Sequence, residues 1–291
     1  MKKVLVSLFL IAILGFGANF AQAATTTAAA TTSTVQWDSD AALKRVNTIG
    51  QKLMKANGLP DTITFKVSAE EDINAYANLN REVYVYKGLL QYVTDDNELA
   101  AVISHELGHI INGHCAKQTV FNSVLATAGS AITPQTELGS ATLGLSQNLM
   151  STKMSRSDEF EADLTGTDLL VKAGYNPLAM VSVLNKICGN YFDVLSSHPS
   201  GEKRLMNIYD YVDYNYNSYT KSGYNSDSYK KASSMITAHV SERTNNAKKL
   251  AKFKKDQEKL KVKKTKREQK MVKTGSNPWE TSVGLLQMFA Q

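Results

Sequence analysis

The stretch His105-Glu106-Leu107-Gly108-His109 sets two imidazoles and a carboxylate within five residues. On a helix, an offset of four residues turns the chain by about 400°, so the two imidazoles stand one turn apart and within roughly 40° of each other. Both can then reach one ion. Glu106 projects to another side, near enough to take a proton from a metal-bound water without ligating. The chemistry such a set supports is hydrolysis assisted by zinc, one ion per chain. The plainer alternative is a pair of structural histidines on a core helix.

A catalytic zinc needs a third protein ligand, and two arrangements compete. One places the donor six residues after the second histidine, beyond a glycine that bends the chain. Here that position is Cys115, the glycine position is Asn112, and Gly113 and His114 are each out of register. If the helix continues, His114 is turned about 140° from the ligand face. The other arrangement draws a glutamate from a later helix, and Ser155-Arg156-Ser157-Asp158-Glu159-Phe160-Glu161-Ala162-Asp163 can supply it. Glu159 and Asp163 share a helical face. Glu159 can therefore bind the ion while Asp163 orients a ligand imidazole through its second nitrogen. Glu161 projects to another side, Asp158 fits a solvated helix start, and Ala162 suits close packing against the zinc helix.

These residues need elements to hold them. Asp95 and Glu98, three apart, form a capping arrangement for the helix that carries the histidines. Leu99, Val102, Ile103, Leu107 and Ile110 are its core-facing stripe. The Glu159 helix is expected from about Ser157 to Ala173, stopped by Gly174. Upstream, Ala42, Val46, Ile49 and Leu53 recur at helical spacing until Asn57-Gly58-Leu59-Pro60 stops them. Ile63, Phe65 and Val67 alternate as a half-buried strand. Residues 73–79 lead through Asn80-Arg81 into Glu82-Val83-Tyr84-Val85-Tyr86 as a hairpin. Asn176-Pro177 and His198-Pro199 open further helices. The expected fold class is α+β, mostly helical with a small antiparallel sheet, and with a zinc site between the histidine helix and the later glutamate helix.

Of the 291 residues, 33 are basic and 27 acidic, a net charge of +6. That excess is not spread evenly. Residues 24–240 carry 17 basic and 22 acidic side chains, whereas 241–273 carry 14 and 4. Lys2 and Lys3, an apolar run from Val4 to Phe16, and Ala21-Gln22-Ala23 read as a signal peptide over 1–23, with the protein exported to the periplasm or cell envelope. An uncleaved anchor is the competing reading, but the run is short of the roughly 20 residues that a spanning helix needs. The remaining divisions are a disordered leader over 24–37, an ordered domain over 38–210, a Tyr/Asn/Ser-rich connector over 211–240, a basic helical tail over 241–273 and an apolar segment over 274–291. Residues 115–150 are small-residue helices or a lid. The tail could meet anionic membrane, and export argues against nucleic acid. Cys115 and Cys188 could form one disulfide in an oxidising compartment.

Several motifs stand in order along the chain: Glu98-Leu99-Ala100-Ala101-Val102-Ile103-Ser104 leading into HELGH, then SRSDEFEAD, then His198-Pro199-Ser200-Gly201-Glu202-Lys203-Arg204. Together they resemble the HtpX and CAAX-prenyl-protease type of zinc metallopeptidase, a gluzincin family with a zincin-like fold. Asn74-Ala75-Tyr76, Val83-Tyr84-Val85 and Gly88-Leu89-Leu90 match the region before the zinc helix. The likeness spans about residues 38–210 and is nearest to the soluble periplasmic members that degrade or help assemble outer-membrane proteins. It implies zinc on His105, His109 and Glu159, Glu106 as general base and Asp163 behind a ligand. It also implies His198 near the open zinc position, stabilising the oxyanion or blocking the site, and Arg204 steadying that loop or the substrate. The expected activity is cleavage of extended or misfolded envelope proteins, laid along an edge strand at Asn74, Ala75 and Tyr76. Outer-membrane protein assembly machinery is the expected partner. The alternative function is a chaperone-like assembly factor with secondary proteolysis.

Overall fold

The computed structural model describes residues 37–119, 154–188 and 201–274. The expected signal peptide, nearly all of the expected leader, most of the 115–150 stretch, His198 and the apolar C-terminal segment lie outside the described residues, as does the side chain of Cys188. The compact unit begins at Asp38.

Helix α1 (Ser39–Asn57) starts where the Asp38 side chain accepts from Asp40 N and Ala41 N at 3.0 and 2.9 Å. It ends at Gly58, whose φ of 62° lets the next amides turn back onto the Lys55 and Met54 carbonyls. Its buried stripe of Val46, Ile49, Leu53 and Met54 packs toward a three-stranded sheet. Gly50 allows that approach: a Cβ there would fall 2.4 Å from the Phe65 ring.

The sheet comprises β1 (Thr64–Ser68), β2 (Ala75–Ala77) and β3 (Glu82–Tyr86), in the order β1-β3-β2. The hairpin β2–β3 is antiparallel, but β1 pairs with β3 in parallel, so the sheet is mixed rather than antiparallel as expected. Burial explains the insertion. Val83 and Val85 are 0% exposed, and β3 gains a paired neighbour on both sides by taking the centre. The chain over 69–81 is long enough for the crossover that parallel pairing demands. Among the described residues, β2 is left as an edge.

After the short α2 (Lys87–Tyr92), α3 (Asp96–Ile111) runs through the middle of the molecule. The Asp95 carboxylate caps it, accepting from Asn97 N and Glu98 N at 2.9 and 3.0 Å. Glu98 turns inward instead, where it accepts from Ser182 Oγ at 2.7 Å and pairs with Lys186 Nζ at 2.9 Å. Every residue from Glu98 to Ile111 is buried. A helix apolar or satisfied on all sides is a core helix, and this one touches α1, the sheet, α4 (Arg156–Lys172) and α5 (Leu178–Cys188).

The tightest of those contacts is α3 on α4. A Cβ on Gly108 would sit 2.6 Å from the Ala162 carbonyl oxygen, and one on Gly166 would sit 2.9 Å from that of Ser104. Small residues on both helices bring the backbones together. The chain continues as α6 (Glu202–Asn215), α7 (Asn217–Ser222), α8 (Asp227–Thr244) and α9 (Ala247–Thr274). The tyrosine-rich stretch, expected as a connector, is mostly helical. Its rings supply apolar area and its hydroxyls find partners: Tyr211 and Tyr216 both donate to Asp168 on α4, at 2.9 and 2.6 Å. Among the described residues, no helix is long and apolar enough to cross a membrane.

Candidate metal centre

The close α3–α4 crossing places His105 and His109 opposite Glu159 and Asp163. His105 Nε2 and His109 Nε2 are 3.0 Å apart, and they lie 3.4 and 3.3 Å from the two Glu159 carboxylate oxygens. All three side chains are buried. A tetrahedral ion with bonds of about 2.0–2.1 Å has donor–donor edges of about 3.3–3.4 Å, so these spacings fit one ion, and two imidazoles with a carboxylate are a recognised catalytic zinc set.

Charge points the same way. Asp163 Oδ1 lies 2.9 Å from His105 Nδ1, directing the other ring nitrogen into the cluster. Burial alone would lower the His105 pKa, but Asp163 and Glu159 hold it up, to about 10. Such a pocket demands positive charge at that imidazole, and a divalent cation competes with the proton for it. Arg204 lies behind both carboxylates. Its Nε and Nη2 donate to the two Asp163 oxygens at 2.7 Å each, and Nη1 is 2.7 Å from Glu159 Oε2. Burial pushes the Asp163 pKa upward, yet Arg204 and His105 outweigh it and keep Asp163 below the ordinary carboxylate range.

Glu106 is buried at 2% exposure and stands apart from the three donors. It lines an apolar cavity with Ala75, Leu89, Val102, Val183 and Leu184, next to His105. Ala75 thus brings β2 to the site. The Asn74 and Asn78 backbones face β3, through Tyr86 N to Asn74 O and Asn78 N to Glu82 O, both 3.0 Å. Alternation then turns the Ala75 and Ala77 amides and carbonyls toward the side away from β3. Tyr76 points away, its ring stacked on Tyr84 at 4.9 Å, and the Asn74 side chain accepts from Ala75 N at 2.9 Å.

Cys115, the competing third donor, is a free buried thiol that donates to the Ala77 carbonyl at 3.3 Å. Burial, and then the nearby Glu106, push its pKa up to about 12. The expectation that His114 turns away from the ligand face holds only if α3 continues, and it does not. α3 stops at Ile111, and Gly113, with φ of 67°, swings the chain so that His114 returns to His109. Its Nδ1 lies 2.9 Å from His109 Nδ1, and its Nε2 lies 3.3 Å from Glu161 Oε2. The usable signal was Gly113 itself, which ends a helix wherever it takes positive φ.

Comparison with known proteins identifies the family. Residues 40–212 match peptidase family M48. The chain is 34% identical over 177 residues to metalloprotease LoiP of Escherichia coli K12, covering 57% of this chain and 69% of LoiP. It is 32% identical over 165 residues to metalloprotease YcaL of the same organism, covering 54% and 64%. It is 28% identical over 180 residues to the beta-barrel assembly-enhancing protease of Yersinia pestis, covering 55% and 37%. The chain belongs to peptidase family M48 and is a metalloendopeptidase.

Proposed function

We propose that the chain is an exported zinc endopeptidase that cuts extended or misfolded proteins of the cell envelope. The observation that carries this reading is the buried triad of His105, His109 and Glu159, with Glu106 beside it on the cavity that reaches β2. A zinc ion held by the triad supplies Lewis-acid chemistry, polarising a carbonyl and making a water acidic enough to lose its proton near neutral pH. Glu106 accepts that proton as the water attacks and passes it to the leaving amine. Asp163 fixes the His105 ring, and Arg204 holds Asp163 and Glu159 in place. On the Ala75–Ala77 edge, where Asn74 Oδ1 takes the Ala75 amide and the Cys115 thiol the Ala77 carbonyl, the Ala75 carbonyl and the Ala77 amide are the groups offered to an extended peptide, a mode that asks for little side-chain identity and excludes compact folds. His198 lies outside the described residues, and by the resemblance alone it would either stabilise the oxyanion or block the site.

Export rests on the pattern of Lys2-Lys3, the apolar run and Ala21-Gln22-Ala23. The assembly-enhancing role in the names of several relatives supports outer-membrane protein assembly as the setting. The lysines of α9 suit contact with an anionic membrane surface.

The test is Glu106→Gln in the mature protein, with casein as substrate and zinc measured by metal analysis. The variant is expected to bind zinc as the parent does and to lose cleavage by at least 10²-fold, the lower end of what a positioned general base contributes. A chelator should abolish the parent's activity. Undiminished cleavage by Glu106→Gln would sink the mechanism.

A further inference from the structure

Ligation through His109 Nε2 leaves the ring's one proton on Nδ1, and that nitrogen faces His114. Two imidazole nitrogens 2.9 Å apart share a single proton, so His114 Nδ1 must accept and its own proton must sit on Nε2. His114 Nε2 in turn faces two carboxylates, Glu161 Oε2 at 3.3 Å and Asp158 Oδ1 at 3.6 Å. An ionised carboxylate can only accept. The far end of the chain therefore sets its direction: His114 donates to Glu161, and His109 donates to His114. The reverse direction would place a proton on His109 Nε2, where the ion needs a lone pair.

The surroundings are built to keep this arrangement. His114 is 1% exposed and both of its ring nitrogens are engaged. Gly113 in the left-handed region redirects the chain, and Asn112 ties the turn to α4 by donating to Thr165 Oγ1 at 2.9 Å. The two histidines of the triad thus have different supports. His105 leans on the charged, Arg204-clamped Asp163, and His109 leans on a neutral ring whose tautomer a distant carboxylate selects.

We propose that His114 is a positioning residue for His109, held by Glu161 in the tautomer that keeps the His109 proton on Nδ1 and so presents the Nε2 lone pair to the metal. The inference rests on His105, His109 and Glu159 being the metal ligands.

The test titrates zinc into the parent, His114→Phe, His114→Gln and Glu161→Gln against a competing chromogenic chelator. The visible absorption of the cobalt-substituted proteins is the second readout. His114→Phe is expected to weaken zinc binding by about 10–100-fold, the usual cost of losing a partner behind a metal-bound histidine, and to shift the cobalt bands. His114→Gln, whose side-chain oxygen can accept from His109 Nδ1, should recover most of that loss. Glu161 is 47% exposed, so Glu161→Gln keeps the fold and should weaken binding to an intermediate degree even if His114→Phe fails to fold. Parent protein that binds one zinc, with unchanged affinity and cobalt spectra in the folded variants, would overturn the inference. Parent protein that binds no zinc would remove the ligand set and the inference with it.

Discussion

At the scale of single residues, the candidate site is a problem in buried charge. Glu159 and Asp163 are both 0% exposed, and Arg204 at 8% is the fixed cation that answers them. Arg204 spans both carboxylates with three nitrogens, which a lysine cannot reproduce. Removing one member of such a set leaves the others uncompensated and costs about 3–5 kcal/mol. Arg204→Met should therefore lower the Tm of the metal-free protein sharply, and added zinc should restore part of the loss by replacing the missing positive charge. Arg204→Lys should fall between. Thermal unfolding of the three proteins, with and without zinc, measures this; equal transitions would mean that Arg204 carries no such load. Sequence spacing placed Glu159 and Asp163 on one face, because i and i+4 relations are local, but it left Cys115 in competition, and it was the family resemblance that joined Glu159 and Asp163 to the HExxH histidines. Spacing missed His114 because that argument extended α3 past its end, and one left-handed Gly113 sufficed to undo it.

At the scale of elements, the donor spacing is set by how closely α3 and α4 approach. Gly166 faces the Ser104 carbonyl, and an added Cβ at 2.9 Å would force backbone, rather than a yielding side-chain tip, to move. Gly166→Ala should cost about 1–3 kcal/mol, as overpacking does. It should also weaken zinc binding, since parting the helices carries Glu159 away from His105 and His109. A chelator-competition titration beside thermal unfolding checks both; lost stability with unchanged zinc affinity would show that the crossing does not set the site. The helices themselves were legible from Asp95, Gly58 and the Leu99–Ile110 stripe. The glycine contacts were not, since Gly166 meets a residue 62 positions away. The parallel pairing of β1 with β3 hid for the same reason: strand alternation reports a face, never a neighbour. Glu98 resembled half of a capping box until Ser182 and Lys186, on another helix, gave its carboxylate a buried use.

At the scale of the whole molecule, the charge asymmetry takes on a structural meaning. The lysine-rich α9 is the segment that makes the chain basic, and α9 packs against α6 and α8. Its seam is thin. Gln257 is buried, Phe253 meets the Tyr214 ring at 5.8 Å and the Arg243 guanidinium at 4.0 Å, and Leu250 is partly covered. The one ionic tie to the histidine-bearing core among the described residues is Lys264 Nζ on Asp168, at 3.0 Å. Asp168 also receives the hydroxyls of Tyr211 and Tyr216, so one carboxylate on α4 joins α6, the start of α7 and α9. Asp168→Ala strands a buried tyrosine hydroxyl and frees the lysine, a loss of about 1–3 kcal/mol. Because α9 has little apolar area to fall back on, that loss should appear chiefly as local opening rather than global unfolding. Amide hydrogen exchange is expected to quicken over 247–274 while α3 stays protected, with zinc affinity unchanged. Exchange that quickens equally in α3 and α9 would show that the basic helix and the histidine-bearing core unfold as one unit. Exchange confined to α9 would mean that the charge of this protein resides on a segment it can release without disturbing its chemistry.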